Sequence, residues 1–190
     1  SSTPAARLTN QRNGRSRDPL IRQRIADAGL SGQVEIMMCD YRDVKGQFDA
    51  VASIEMFEAV GEDYWPSYFG KIGQVLKPGG RAALQIITIA DEYFERYRER
   101  ADFIQHYIFP GGMLPSPTRL KEEAERAGMT YAVDQMFGLS YDRTLGEWAQ
   151  RFEQAWGEIE GGKFDEEFRR LWLYYLAYCQ AGFRTGRIDV

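Results

Sequence analysis

Two carboxylates at i, i+3 spacing, Glu55 and Glu58, follow the apolar run Phe48–Ile54. Acids just past the end of a buried strand sit where open α/β sheets bind ligands. The same pattern is also ordinary for solvated acids at the start of a loop or helix. Asp40–Tyr41 and Gln85–Ile87 fall near the ends of two further apolar runs. In a parallel sheet the carboxyl ends of strands share one edge, so these positions can converge there. An acid after a strand can accept hydrogen bonds from a nucleoside, and a tyrosine ring can pack against its base.

The elements that must position these residues alternate. Pro19–Gly29 is expected as a helix, with Leu20, Ile21 and Ile25 as its stripe and Gly29 as its stop. Val34–Cys39 and Phe48–Ile54 are expected as strands, the second apolar on both faces and therefore covered by helices. Tyr64–Leu76 is expected as a helix, broken by Lys77-Pro78-Gly79-Gly80, and Arg81–Ile89 as a buried strand. Helix, strand, strand, helix, strand in this order imply an α/β doubly wound sheet.

Beyond Asp91 the pattern is richer in helices. Asp91–Tyr107 is expected to be helical and Phe109–Pro117, with three prolines and two glycines, to be a shaped loop. Ser116 can cap a helix that runs to Gly128. Met129–Leu139 is expected as a strand. Thr144 and Glu147 have capping-box spacing ahead of Trp148, Phe152 and Trp156. Phe164, Phe168, Leu171, Trp172, Tyr175, Cys179 and Phe183 follow helical spacing. The last two stripes serve equally as core or as the roof of an apolar cavity.

Composition narrows the function classes. The chain has 190 residues, enough for one domain with a core, and a net charge of −4, which argues against nucleic acid as a partner. Its two cysteines, Cys39 and Cys179, form no CxxC pair, which fits a reducing compartment, and the single His106 cannot build a His-rich metal site. No apolar run approaches a membrane span. Residues 1–18 are polar and arginine-rich, and read as a polar arm or a misjoined terminus. No GxGxxG, P-loop or GxSxG occurs, so the tight glycine turn a nucleotide-type cofactor needs is absent from this chain.

The runs FDAVASIEMFEAVG, YWPSYFGKIGQVLKPGGRAALQIITI, YIFPGGMLPS, FGLSYDRTLGEWAQRF and YYLAYCQAGFRTGRIDV stand in order from Phe48 to the end of the chain. With them, the stretch from about Pro19 to Val190 resembles the cyclopropane-fatty-acid-phospholipid synthases, relatives of the mycolic acid cyclopropane synthases. YIFPGGMLPS and YDRTLGEW are the specific blocks; LKPGG is common to many methyltransferases. The resemblance implies a Rossmann-like class I methyltransferase sheet over residues 19–190. That sheet would be incomplete, without its first and last strands, with helical lid segments at 91–128 and 142–185 over the active-site edge.

The activity implied is transfer of a methylene group from S-adenosylmethionine to the cis double bond of an unsaturated phospholipid acyl chain, forming a cyclopropane. It would take place at a membrane surface, on the cytoplasmic face. A related enzyme that leaves a methyl or methylene branch is the neighbouring possibility, and a non-catalytic lipid- or partner-binding module the one from a different class. An alkene is a weak nucleophile, so such chemistry needs a dry, oriented site, and aromatic faces can stabilise the carbocation that forms.

By resemblance, a bicarbonate ion takes the proton, held by Glu58, Gln85, the backbone at Ile87, and Tyr141. Asp40 and Tyr41 match the stretch that meets the adenine. Many relatives have histidine where this chain has Gln85; an amide still donates to an anion but cannot carry a proton. Glu55 and His106 match no carried-over role and read as structural or solvated. The chain looks like roughly the second half of a synthase, expected by itself to be weakly stable, prone to self-association through open strand edges, and inactive.

Overall fold

The computed structural model describes residues 6–9, 18–162 and 164–190. They divide into two compact units: residues up to Ala50 with Gln74–Arg81, and Val51–Gly73 with Ala82–Val190.

In the first unit, β1 (Ala6–Thr9) pairs in parallel with β2 (Val34–Met37), Ala6 opposite Val34 and Thr9 opposite Met37. Four residues of the expected polar arm therefore form a strand. Its remainder up to residue 17 lies outside the described residues. Between them α1 spans Asp18–Asp27 and ends at Gly29, whose φ of 70° only glycine adopts without strain. The first residues of β3 (Phe48–Ile54) and of β4 (Leu76–Gln85) also belong here. The two strands are neighbours in one sheet, and Lys77 Nζ donates to Asp49 Oδ1 at 2.7 Å.

The second unit is built on an aromatic core. After β3 the chain turns through Phe57–Ala59 and Glu62–Tyr64 into α2 (Trp65–Val75). Phe57 and Trp65 are fully buried and stack at 5.3 Å between ring centroids. Tyr68 and Phe69 meet the Phe57 ring edge-on at 4.9 and 5.5 Å. Tyr68 also donates its hydroxyl proton to Ser53 Oγ at 2.8 Å, tying α2 to β3. Rings buried on this scale dominate a core of this size.

The Lys77–Gly80 breaker ends α2 at Val75, but those residues themselves open β4; proline is tolerated where a strand has an unpaired edge. The single strand expected over Arg81–Ile89 is two, β4 and β5 (Thr88–Ile89), because the Ile87 N–H turns to a side chain and leaves the ladder. The helix expected over Asp91–Tyr107 is α3 (Asp91–Glu99) and a separate π-helical turn at Ile104–Ile108, with the Asp102 carboxylate capping Gln105 N at 3.0 Å between them. β3 is not buried on both faces: Ala50, Ala52 and Ile54 are exposed, Ile54 by 62%.

Farther on, Ser116 caps α4 (Pro117–Arg126) as the sequence implies, its oxygen accepting from Arg119 N at 3.3 Å. No strand forms over 129–137. Instead α5 (Gly138–Ile159) begins six residues before Thr144. Its first N–H, on Gly138, is taken by Asp189 Oδ1 at 2.8 Å, so a carboxylate 51 residues away caps the helix. Thr144 then lies inside the helix and its hydroxyl bonds back to the Ser140 carbonyl at 2.9 Å.

α6 (Glu166–Arg184) is capped by Asp165, which accepts from Phe168 N at 2.9 Å. It returns along α5. Arg184 pairs with Asp142, and Phe152 packs against Trp172. Between these contacts Gly146 faces Gln180, whose Nε2 a Cβ would meet at 2.9 Å and would have to displace. The chain closes with β6 (Ile188–Asp189), antiparallel to β5. The single doubly wound sheet expected is thus represented, among the described residues, by three two-stranded pairings.

Candidate active site

The site is assembled at the ends of β3 and β4. Glu55 follows β3 with φ at 47°, the one non-glycine residue with positive φ among the described residues. Such a conformation costs about 1 kcal/mol or more and persists only when its surroundings hold it. Here the Glu55 N–H donates to the Gln85 carbonyl at 2.9 Å, and the turn returns the side chain to the same residue. Gln85 Nε2 donates to Glu55 Oε1 at 3.0 Å and to the Tyr141 hydroxyl oxygen at 2.9 Å. The Tyr141 hydroxyl donates its own proton to Glu55 Oε1. One carboxylate oxygen thus receives both donors.

Tyr141 lies in the first turn of α5, its ring 5.0 Å from that of Phe183 and 6.0 Å from that of Phe137. It packs, with Ile87, against the cluster of Leu145, Leu176 and Phe183. Burial first, then the hydrogen bond and charge of Glu55, push its hydroxyl up to about 12, so it is a donor at neutral pH. Tyr175, on α6, is also pushed up to about 12, by burial and then by the charges of Cys179 and Glu55. Cys179 is lifted to about 11 by burial, so it stays a thiol and offers no nucleophile.

Glu58 is seated on the aromatic core, next to Phe57. Its Oε1 accepts from Ile87 N at 2.6 Å, and its carbonyl accepts from Met113 N at 2.8 Å, which ties in the 109–117 loop. Its Oε2 is buried with no hydrogen-bond partner. Burial raises the Glu58 carboxyl above the usual range; the Ile87 and Glu58 N–H groups oppose this and the charge of Glu55 adds to it. The Glu58 charge is in turn felt at Tyr141.

The structure therefore brings together Glu58, Gln85, Ile87 and Tyr141, and adds Glu55, which sequence reasoning left as structural or solvated. The available signal was Gln85: a partly buried amide needs an acceptor, and none is visible in sequence because Glu55 lies 30 residues away. His106 is exposed, in the π-helical turn, edge-on to Tyr107 at 4.7 Å. Asp40 and Tyr41 belong to the first unit. Asp40 caps the Tyr41–Asp43 turn through Arg42 N at 2.9 Å and holds the Arg42 guanidinium with both oxygens, at 2.9 and 2.7 Å. The guanidinium carbon stands 5.9 Å from the centroid of the half-buried Tyr41 ring.

Asp40 and Tyr41, a carboxylate beside a flat ring at a strand end, are of the types that fit the adenosine part of S-adenosylmethionine. Bicarbonate does not fit the second unit as built. Gln85 Nε2, Ile87 N–H and the Tyr141 hydroxyl, which would hold it, are all given to Glu55 and Glu58. Two carboxylates beside the same donors also repel a third anion.

Comparison with known proteins identifies relatives. The profile of the family described as mycolic acid cyclopropane synthetase matches residues 14–190. The chain is 44% identical over 172 residues to tuberculostearic acid methyltransferase UfaA1 of Mycobacterium tuberculosis, a match covering 90% of this chain and 40% of that protein. It is 35% identical over 171 residues to the cyclopropane-fatty-acyl-phospholipid synthase of Escherichia coli K12, covering 88% of this chain and 43% of that one. It thus spans less than half the length of these curated relatives.

Among solved structures, cyclopropane synthase MmaA2 from Mycobacterium tuberculosis aligns with a TM-score of 0.79 at 24% identity, over 92% of this chain and 64% of that one. The mycolic acid cyclopropane synthase CmaA1, complexed with SAH and CTAB, aligns at 0.76 and 24% identity, with the same coverage. The fold is a partial Rossmann-like class I methyltransferase fold.

Proposed function

We propose a one-carbon transfer to lipid for this chain, which belongs to the mycolic acid cyclopropane synthetase family. The reaction takes a methylene unit from S-adenosylmethionine to the cis double bond of an unsaturated phospholipid acyl chain and closes a cyclopropane. S-adenosylmethionine supplies the activated methyl group when bound, with Asp40 and Tyr41 at its adenosine end. The observation that supports the reading is the cluster of Glu58, Gln85, Ile87, Tyr141 and Glu55, carboxylates with directed donors, the residue types that removal of a proton from a cationic intermediate needs. The rings of Tyr141, Phe183 and Tyr175 beside it are suited to stabilising positive charge.

A second reading is a lipid methyltransferase that leaves a methyl or methylene branch. The higher identity to tuberculostearic acid methyltransferase UfaA1 favours it. Either substrate is met at a membrane surface, on the cytoplasmic face, and no helix among the described residues is long and apolar enough to cross a membrane.

The test is mass analysis of lipids from cells that express the complete gene. A ring and a methylene branch both add one CH2 to the acyl chain. The branch takes up hydrogen on mild catalytic reduction and the ring does not. Lipids unchanged by expression would overturn both readings.

A further inference from the structure

We infer that the Glu55 carboxylate is this protein's built-in proton acceptor, standing in the place that the resemblance gives to a diffusible bicarbonate. The inference rests on the proposed lipid reaction. Its geometric part concerns only which anion the site holds.

A bound bicarbonate and a side-chain carboxylate present the same planar pair of oxygens to donors. In this protein the two side-chain donors converge on Glu55 Oε1, from Gln85 Nε2 at 3.0 Å and from the Tyr141 hydroxyl. The backbone donor, Ile87 N–H, is given to Glu58. The amide at position 85 cannot relay a proton, so it serves only to orient what it binds. Glu55 reaches this place through a φ of 47°, a conformation a merely solvated glutamate would have no reason to keep. Glu55 is also exposed, so a proton it takes can pass to water.

In the step assigned to it, a methyl group on the cationic acyl chain loses a proton. The C–H pair becomes the closing C–C bond of the ring or, once the hydride on the methyl-bearing carbon has shifted to the neighbouring cationic carbon, the second bond of a methylene branch. The proton goes to Glu55, which becomes the neutral acid and then releases it to solvent.

The experiment uses the complete protein, unsaturated phosphatidylglycerol vesicles and S-adenosylmethionine, in buffer stripped of carbon dioxide. Wild-type turnover should be unchanged by stripping or by adding bicarbonate. Glu55→Gln, isosteric and still an acceptor for both donors, should lower kcat by about a hundredfold or more. Glu55→Gly frees the donors and suits the positive φ, so its residual turnover should rise with added bicarbonate.

A second readout is independent of turnover. Carbon-13 bicarbonate should show no line broadening with the wild type and clear broadening with Glu55→Gly. Broadening with the wild type, or wild-type turnover lost on stripping, would overturn the inference. A protein that modifies no lipid would overturn the proposed function, while the bicarbonate signal would still decide what the site holds.

Discussion

The Ile87 N–H donates to Glu58 Oε1 at 2.6 Å, across 29 residues of sequence. This bond breaks the strand between β4 and β5 and fixes one oxygen of a carboxylate whose other oxygen is buried without a partner. Burial makes the charged form costly, so the folded-state pKa of Glu58 lies above its ordinary 4.5. A raised pKa means the stabilising form is the protonated one. That stability is fully present below the unfolded value and lost as pH rises through the folded value. Glu58→Gln removes the titration and keeps an acceptor for Ile87 N–H. The melting temperature of the variant relative to wild type should therefore climb as pH rises from 4.5, and thermal melts across that range would show it. A difference independent of pH would mean that Glu58 is not desolvated in solution.

Tyr141 separates chemistry from packing. Tyr141→Phe keeps the ring against Phe183 and removes the hydroxyl that donates to Glu55 and accepts from Gln85. Loss of hydrogen bonds of this kind costs about 1 kcal/mol each in stability. In the complete protein the expected result is a small fall in melting temperature with a fall in kcat of tenfold or more and little change in KM. Equal losses of stability and activity on heating and assay would instead make Tyr141 a packing residue.

The parts of the fold set by local pattern were legible in the sequence. The Phe48–Ile54 strand, the α2 and α6 stripes and the Ser116 cap follow period and turn chemistry. What was not legible depends on distant partners. Asp189 starts α5 ahead of the local Thr144–Glu147 signal. Glu58 divides the Arg81–Ile89 run. Gln85 and Tyr141 draw Glu55 into the site. Periodicity records which face of an element is apolar and says nothing of which side chain will claim a given N–H. Ile54 shows the converse limit: its apolar character was clear, but whether anything covers it was not.

Phe57 is the residue on which the Glu58 turn rests. It is fully buried and touches Trp65, Tyr68 and Phe69. Truncation of a ring in such a setting costs about 3–5 kcal/mol, a large part of the stability of an ordinary domain. Phe57→Ala should lower the denaturation midpoint strongly and weaken the Ile87–Glu58 bond, seen as faster amide exchange at Ile87. Phe57→Leu, which retains most of the volume, should do less of both. Retention of wild-type exchange at Ile87 in Phe57→Ala would show that the loop holding Met113 positions Glu58 without the core.

Asp40 has two roles that one pair of variants can separate. Its side chain caps the Tyr41–Asp43 turn and holds Arg42, and in the proposed function it also accepts from the adenosine of S-adenosylmethionine. Asparagine is as good a cap as aspartate, whereas alanine is not, with a difference of about 1 kcal/mol. The ion pair with Arg42 is half-exposed, and pairs of that kind add only about 0–1 kcal/mol. Asp40→Asn should therefore melt close to wild type and Asp40→Ala a few degrees lower. If the carboxylate accepts from the nucleoside, both should bind S-adenosylhomocysteine more weakly, by about tenfold for one charged hydrogen bond at ~1.5 kcal/mol. Calorimetric titration of the complete protein reads the affinity. Wild-type affinity in Asp40→Asn would confine Asp40 to capping its turn and leave the adenosine to other residues.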